Sequence, residues 1–210
     1  MVRILCIGDS HIPNRTKELP EQIYAKLDNL TRDAFFDFTL FTGDVIKFPK
    51  LLEFLNLKTR SNFYIVLGNM DYHYGNRNAP IYQKLDIVFE DTDKITIGLT
   101  HGAQISPRGT HSQLEDLAIE KGYNIIVSGH THKEEIFLTK NGILLINPGS
   151  VTGAWSFVAS GIPSFIELNI SKSSKEIIID LIQIEKRSRE ISSLKSRYFF
   201  QNNRIIDSLI

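Results

Sequence analysis

The sequence predicts a layered α/β protein with mixed β-sheets, and two observations support this fold class. Short apolar runs rich in Ile, Val and Phe recur along the chain, and each ends in a polar or glycine-containing turn, as β-strands do. Amphipathic helical patterns separate several of these runs in the first two thirds of the chain, whereas strands dominate from about residue 124 to 184. This change favours mixed sheets over one doubly wound parallel sheet.

The predicted strands begin at the second residue of the chain and continue to residue 184. Each is bounded by residues that form turns. In chain order they are Val2–Ile7, Phe38–Thr42, Phe63–Leu67, Lys94–Thr100, Asn124–Val127, Glu135–Leu138, Ile143–Ile146, Pro163–Ile170 and Glu176–Ile184.

Three helices are predicted where apolar residues recur at helical spacing. The first spans Pro20–Leu30, because a proline suits the first turn of a helix. The second spans Phe48–Leu57 and repeats the leucine spacing of an amphipathic helix. The third spans Thr110–Lys121, with a capping residue at its start and Gly122 after its end.

The composition changes at Glu185, where the chain becomes polar and basic. Apolar residues are widely spaced from there to the end. The sequence therefore predicts one domain over residues 1–185, followed by a C-terminal helix or loosely held tail over residues 186–210.

The overall composition excludes several classes of protein. The 210 residues include 24 basic and 24 acidic side chains, and this zero net charge argues against a nucleic-acid partner. The single cysteine, Cys6, allows no intrachain disulfide and lies in a strand pattern where burial is expected. No apolar run approaches the roughly 18 residues that span a bilayer, and the N-terminal residues are not typical of a signal peptide. We expect a cytoplasmic protein that does not insert into membranes.

Residue types that bind metal ions stand directly after five of the predicted strands. Four of the six histidines lie at these junctions. Because the carboxyl ends of strands in an α/β sheet meet at one edge, the junctions should lie close together. The motifs are Gly8-Asp9-Ser10-His11, Gly43-Asp44, Gly68-Asn69-Met70-Asp71, His101-Gly102 and Gly129-His130-Thr131-His132.

These residue types match the chemistry of a transition-metal site. Imidazole and carboxylate ligands together suit zinc, manganese or iron, whereas an all-oxygen set would suit magnesium or calcium. A single histidine after a strand is more often structural, but five such junctions in one chain favour a metal site. We expect Gly8, Gly43, Gly68 and Gly129 to form the sharp turns before the ligands. The predicted ligands are Asp9, His11, Asp44, Asn69, His101, His130 and His132.

The order of these motifs resembles that of the calcineurin-like metallophosphoesterases, over nearly the whole chain from Ile4 to about Gln183. The resemblance implies a four-layer sandwich of two mixed β-sheets flanked by helices. It implies two divalent metal ions that share Asp44, and hydrolysis of a phosphate ester between them. One ion would be held by Asp9, His11, Asp44 and His132, and the other by Asp44, Asn69, His101 and His130.

Other segments resemble a narrower branch of this family, the phosphoesterase-fold subunits of retromer. That branch implies a scaffold for protein sorting and vesicle transport, which binds a helical-solenoid subunit and reaches endosome-like membranes through partners. The alternative is an active two-metal phosphodiesterase that hydrolyses a small phosphate ester. The segments that carry the resemblance are His11-Ile12-Pro13-Asn14-Arg15, Leu19-Pro20, Asn147-Pro148-Gly149-Ser150 and Ile162-Pro163-Ser164-Phe165.

Two positions favour opposite roles. Met70 stands where many family enzymes have a histidine that protonates the leaving group, and a thioether has no proton to give. His73 could replace that histidine, or be an ordinary loop residue.

Animal retromer subunits typically have Asn at the position that is shared by the two ions. Asp44 stands there in this chain, so the metal site keeps the negative charge of that side chain. Asp71 could hydrogen-bond a ligand. The catalytic candidates are Asp44, Asn69 and His101, with His73 doubtful.

Interaction surfaces are expected outside the metal site. The loop His101–Pro107 corresponds to a docking loop for the solenoid subunit, in which Ile105 rather than Ser106 would supply the apolar anchor. Trp155 and Phe157 could flank a substrate channel or a partner site, or pack against the protein. Candidates for a hydrophobic patch that binds regulators, each of which could instead belong to the core, are Leu27, Ile177 and Ile179.

Overall fold

We describe residues 1–208 of a computed structural model. In this range the chain forms twelve strands and four helices. In chain order they are β1 (Val2–Ile7), α1 (Glu21–Leu30), β2 (Phe36–Phe41), α2 (Pro49–Asn56), β3 (Thr59–Ile65), α3 (Asn69–His73), β4 (Tyr82–Val88), β5 (Lys94–Thr100), α4 (His111–Lys121), β6 (Ile125–Ser128), β7 (Glu134–Leu138), β8 (Leu144–Pro148), β9 (Ser164–Ile170), β10 (Glu176–Ile184), β11 (Ile191–Gln201) and β12 (Arg204–Asp207).

The strands form two mixed sheets. The seven-stranded sheet has the order β12-β11-β10-β9-β1-β2-β3, and the five-stranded sheet has the order β4-β5-β6-β8-β7. In the first sheet β1, β2 and β3 are parallel neighbours, and in the second β5, β6 and β8 are parallel neighbours. Parallel strands end at a common edge, so each sheet presents several strand ends at one place.

The two sheets pack face to face, with helices on both outer faces. The largest apolar cluster includes Ile4 of one sheet and Ile97 of the other, so it lies between them. A second cluster joins the seven-stranded sheet to Leu27 of α1 and Leu51 of α2. A third joins the five-stranded sheet to Leu114 of α4. The predicted four-layer sandwich of two mixed sheets flanked by helices is confirmed.

Most predicted elements are present, with ends that differ by a few residues. Two further elements are not among those predicted: α3, which is a single turn, and the edge strand β4, in which only the alternating Leu85 and Ile87 are buried. Cys6 is buried as expected. Three predicted strands agree with the structure residue for residue, namely Val2–Ile7, Lys94–Thr100 and Glu176–Ile184.

The C-terminal helix or tail predicted for residues 186–210 is wrong over most of that segment. Strand β11 pairs antiparallel with β10, and β12 folds back to pair with β11. The seven-stranded sheet therefore continues across residue 185, while the division into domains at that residue stays a prediction. The last two positions, 209 and 210, lie outside the described residues.

The chemistry of this hairpin explains the error. Asn202 and Asn203 have φ angles of 50° and 57°, as a two-residue type I′ turn requires. Tyr198 and Phe200 are buried in the main cluster and alternate with the exposed Arg197 and Gln201 and the half-buried Phe199. This period of two was hidden by the polar residues at the beginning of β11.

Burial decides the roles of residues considered for two interaction surfaces. Leu27, Ile177 and Ile179 are fully buried in apolar clusters, so they are core residues and form no surface patch. Ile105 is buried beside Leu114 and cannot serve as an exposed anchor of the docking loop. Within residues 1–208, no helix is long and apolar enough to cross a membrane.

Candidate metal centre

The predicted ligands follow strand ends of both sheets and meet between them. All but Asn69 are buried, although they are charged or polar. Asp9 and His11 follow β1, Asp44 follows β2, Asn69 begins α3 after β3, His101 follows β5, and His130 and His132 follow β6.

Four of these residues form a compact group that we call the buried half. One ligand atom from each of Asp9, His11, Asp44 and His132 can be chosen so that all four lie within 4.8 Å of one another. The Nε2 atoms of His11 and His132 are 2.9 Å apart. His132 Nε2 lies 3.4 Å from Asp9 Oδ1, and His11 Nε2 lies 3.3 Å from Asp44 Oδ2. Two carboxylates and two imidazoles therefore converge on one point.

The remaining predicted ligands, which we call the open half, lie on the other side of Asp44. His101 Nε2 is 3.0 Å from Asn69 Oδ1 and 3.2 Å from His130 Nδ1. It is also 3.5 Å from Asp44 Oδ2. The same carboxylate oxygen of Asp44 thus faces a histidine of each half. The structure brings all seven predicted residues together.

The backbone of the ligand loops is in an unusual conformation. Asp9, His11, Asp44, His130 and His132 all have φ angles between 50° and 68°. This left-handed region is sparsely populated by residues other than glycine, and each such residue costs about 1 kcal/mol or more. Such conformations cluster at functional sites, because the surrounding structure must hold them in place.

The glycines beside the ligands mainly provide space. A Cβ atom on Gly68 would lie 1.9 Å from Asp44 Oδ1, and one on Gly129 would lie 2.4 Å from Asp9 Oδ2. Of the four glycines predicted to form turns, only Gly43 has a positive φ. Larger residues at these positions would displace the carboxylates, so the glycines allow the loops to approach each other.

Backbone carbonyl groups fix the orientation of two histidines. His101 Nδ1 donates a hydrogen bond to the Thr42 carbonyl at 2.8 Å, and His132 Nδ1 donates one to the Ala154 carbonyl at 2.8 Å. Because a carbonyl only accepts, Nδ1 carries the proton and Nε2 faces the centre in each ring. Such partners set the tautomer of metal-binding histidines. Sequence reasoning missed both carbonyls, because any residue supplies one.

Asp71 organises the loop that carries the shared carboxylate. Its Oδ2 accepts hydrogen bonds from the backbone N–H groups of Asp44 at 2.7 Å and Gly68 at 3.2 Å. Its Oδ1 accepts one from Ile46 at 2.8 Å. Asp71 itself is buried. Its predicted hydrogen bond to a ligand is present, through the backbone of Asp44 rather than its side chain.

Burial controls the protonation of the centre. It lowers the pKa of His11 to about 3 and that of His130 to about 4, so both rings are neutral at pH 7 and keep a lone pair. Burial, helped by nearby Asp9, raises the pKa of Asp44 to about 6. Burial would also raise the pKa of Asp9, but His132, His101 and His11 outweigh it and hold that pKa below its ordinary value.

These residues fit a divalent metal ion. Asp9 Oδ1 and His11 Nδ1 are buried and have no hydrogen-bond partner among the described residues. In residues 1–208 no Lys or Arg side chain forms an ion pair with Asp9 or Asp44, so no protein cation offsets these two buried carboxylates. Buried carboxylates of this kind are usually paired or coordinate metals. The mixture of imidazole and oxygen donors is the set that zinc, manganese and iron prefer.

Of the two positions discussed for protonation of the leaving group, Met70 and His73, only Met70 has a contact with a ligand candidate among the described residues. The backbone N–H of Met70 donates to Asp44 Oδ1 at 2.8 Å, so Met70 adjoins the shared carboxylate. His73 is exposed, and its ring contacts Tyr74 at 5.3 Å rather than a ligand. The catalytic role considered for His73 stays a prediction.

A two-sheet α/β sandwich that gathers Asp, Asn and His side chains at its strand ends defines a metallophosphoesterase-type protein. Residues 2–172 match the sequence profile of the calcineurin-like phosphoesterase superfamily domain. The chain therefore belongs to the calcineurin-like phosphoesterase superfamily, as its motifs predict.

Archaeal proteins of this type are similar in sequence. A probable metallophosphoesterase of Methanothermobacter thermautotrophicus is 38% identical over 148 residues, which cover 70% of this chain and 75% of that protein. A probable metallophosphoesterase of Methanocaldococcus jannaschii is 35% identical over 146 residues, which cover 70% of this chain and 66% of that protein.

Solved structures of the retromer subunit Vps29 are similar in fold. Vps29 of Cryptosporidium parvum superposes with a TM-score of 0.79 at 30% identity, covering 94% of this chain and 98% of that one. Wild-type Vps29 of Entamoeba histolytica in complex with Zn²⁺ superposes with a TM-score of 0.76 at 26% identity. The superposition covers 93% of this chain and 99% of that one. The predicted likeness to this branch of the superfamily is confirmed.

Proposed function

We propose that this protein is a metal-dependent phosphodiesterase that uses two divalent ions. One observation carries the proposal: seven potential ligands converge, and one carboxylate oxygen of Asp44 faces both halves of the centre. The sequence likeness to two probable metallophosphoesterases supports the same conclusion.

Each half of the centre would hold one ion. Asp9, His11 and His132 would bind the first, Asn69, His101 and His130 the second, and Asp44 both. When bound, such a pair of ions polarises phosphoryl oxygens and activates water as the nucleophile. The neutral imidazoles of His11 and His130 already present lone pairs at pH 7, so binding there needs no loss of protons from these rings.

The side chains around the open half indicate the kind of ester. Asn69 is exposed, so substrate reaches this half from solvent. Met70 cannot donate a proton to a departing alkoxide, and general acid catalysis normally contributes about 10²–10⁴-fold. The enzyme should therefore favour esters whose leaving group is stable as an anion. Exposed Arg15, Arg108 and Lys133 near the ligand loops suit an anionic substrate.

The proposal is tested with protein that has been stripped of metal and reloaded with manganese. We expect turnover of bis-p-nitrophenyl phosphate that requires the metal and is abolished by His101→Ala. His111→Ala is the matched control, because that histidine pairs with Glu135 outside the centre. Absence of turnover in the reloaded wild type, or equal turnover in both variants, would contradict the assignment.

A retromer-type scaffold is the second candidate function. The Vps29 similarity supports it, because it extends over more than nine tenths of this chain. In that role the protein would bind a helical-solenoid subunit through the loop His101–Pro107 and act in the cytoplasm at endosome-like membranes. Ile105 is buried, so Ser106 and Pro107, both exposed, would form the contact.

The scaffold is tested by titrating a purified retromer solenoid subunit against the protein. We expect Ser106→Asp to weaken binding, because it places a charge in the contact. Ser173→Asp is the control, since this exposed serine follows β9 at the edge opposite the metal centre. No binding to the wild type would leave only the enzymatic proposal standing.

A further inference from the structure

Two exposed aromatic side chains stand beside the metal centre. Trp155 is 62% exposed and Phe157 is 81% exposed, and their rings contact each other edge to face at 5.0 Å. Trp155 directly follows Ala154, whose carbonyl group orients His132, and Phe157 is two residues further along the chain. We call these two residues the rim pair. Their exposure contradicts the alternative that they pack inside the protein.

The backbone that carries the rim pair is fixed to the ligand loops. On one side of Trp155, Ala154 accepts the hydrogen bond from His132 and donates one to Ser150 Oγ at 2.9 Å. On the other side, Ser156 Oγ donates to the Thr131 carbonyl at 2.5 Å. Trp155 is therefore held outward between two buried anchors. Exposure of these two apolar rings does not stabilise the fold, because burial of apolar surface is what lowers the free energy of the folded state.

Positive charge surrounds the rim pair. A guanidinium N–H of Arg15 donates to the Trp155 carbonyl, and the guanidinium of Arg108 lies 5.8 Å from the centre of the Phe157 ring. Among residues 1–208, no carboxylate forms an ion pair with either arginine.

We propose that the rim pair binds the aromatic group of the substrate, so that the enzyme prefers phosphodiesters with a nucleobase or an aryl group. This inference rests on the proposed phosphodiesterase function and specifies its substrate class. The aromatic group stacks on Trp155 and Phe157, while the phosphate faces Arg15, Arg108 and the metal centre. Stacking of one base on an aromatic side chain changes affinity by roughly 5- to 150-fold.

The chain contains one tryptophan, so its fluorescence reports on the rim pair alone. We expect thymidine 5′-monophosphate to quench this fluorescence in the zinc-loaded protein, and methyl phosphate at the same concentration to leave it unchanged. The same titration after chelation of zinc should show weaker but detectable quenching by the nucleotide. If the nucleotide and methyl phosphate behave alike, the inference is wrong. This readout needs no turnover, so it stands apart from any failure of the phosphodiesterase activity.

Kinetics with two esters distinguish which aromatic group is bound. Thymidine 5′-(p-nitrophenyl) phosphate and methyl p-nitrophenyl phosphate share a leaving group and differ in the group that is retained. We expect Trp155→Ala to raise KM for the thymidine ester by about tenfold, within the range for one stacked base. Trp155→Phe should restore most of the loss, because it keeps an aromatic face.

Each kinetic outcome has a defined meaning. A loss with the thymidine ester alone means that the retained nucleoside stacks on the rim pair, and an equal loss with both esters means that the nitrophenyl group does. An unchanged KM for both esters overturns the inference. If Trp155→Ala weakens binding of a solenoid subunit and leaves KM unchanged for both esters, the rim pair belongs to a protein interface instead. Phe35→Ala is the control, since this exposed phenylalanine precedes β2 at the edge opposite the centre.

Discussion

The two halves of the metal centre differ in their access to solvent. In the buried half, Asp9, His11 and His132 are almost fully enclosed. In the open half, Asn69 is exposed and Met70 is partly exposed. Both halves contact the same oxygen of Asp44. His101 and His130 of the open half are buried as well, so Asn69 is the exposed ligand candidate. Under the proposed function, the enclosed ligands would retain the ions and Asn69 would lie where substrate enters.

The largest effect is expected from Asp44→Asn, which removes the charge that the halves share. We expect metal affinity to fall about 100-fold or more, because a neutral amide does not offset the repulsion of two cations, and even outer-shell losses cost 10–100-fold. Calorimetry with manganese on chelator-treated protein measures this. Two sites of unchanged affinity would show that the halves are independent.

The substitution His101→Ala tests whether the two halves bind their ions independently. This substitution removes an imidazole whose Nε2 faces Asn69 of the open half and the shared carboxylate. Its Nδ1 lies 3.9 Å from Asp9 of the buried half but donates to the Thr42 carbonyl, so only Nε2 is available to an ion. We expect elemental analysis to give one ion per chain in place of two, while the buried half keeps its affinity. His111→Ala should retain both ions. Loss of both ions from the His101 variant would mean that the halves bind cooperatively.

Asp71→Asn should weaken metal binding less than Asp44→Asn does, and by the same factor in both halves. The amide NH₂ group cannot accept a hydrogen bond, so at least one of the backbone N–H groups of Asp44, Ile46 and Gly68 loses its partner. We expect about tenfold weaker metal binding, as for other outer-shell substitutions. Asp33→Asn, at an exposed position, is the control for the change in charge. An effect on one half only would show that Asp71 does not act through the shared loop.

An effect of similar size, confined to one class of ester, is expected from Met70→His at the border of the open half. A histidine there could protonate the leaving group, so turnover of alkyl esters should rise by about tenfold, below the full range for general acids. Esters of p-nitrophenol should change little, because their leaving group needs no proton. Met70→Leu controls for the loss of the thioether. No gain with alkyl esters would show that leaving-group protonation does not limit the rate.

The sequence predicted the positions of the ligand candidates well, because each stands after a strong strand pattern. His130 and His132 follow β6 and Asp44 follows β2, as expected. Their convergence is observed, while their role as ligands stays a prediction. The carbonyl groups that orient the histidines could not be predicted, since every residue has one. The left-handed φ angles of Asp9 and His11 were also hidden, because tertiary contacts rather than residue type impose them.

The errors of the sequence analysis have a common cause. Leu27 and Ile177 were kept as candidates for a surface patch beside the alternative that they belong to the core, because hydrophobicity alone does not distinguish a patch from a core. The sequence analysis assigned β11 and β12 to a tail because their polar first half concealed the alternation that Tyr198 and Phe200 continue. In each case the partner strand or helix that covers the residue is distant in the chain. The two-residue Asn202-Asn203 turn was the local signal that could have revealed the hairpin.

The central place of β1 in the seven-stranded sheet affects how the protein is made. Cys6 of β1 pairs with Ile166 of β9, so the strand that precedes Asp9 and His11 obtains one of its two neighbours only after about 160 further residues have been added to the chain. Pairings between such distant segments form slowly. A growing chain that ends before β9 thus has its first two ligand candidates but lacks a strand that holds β1 in place. We expect newly made protein to acquire metal only after β9 has been synthesised.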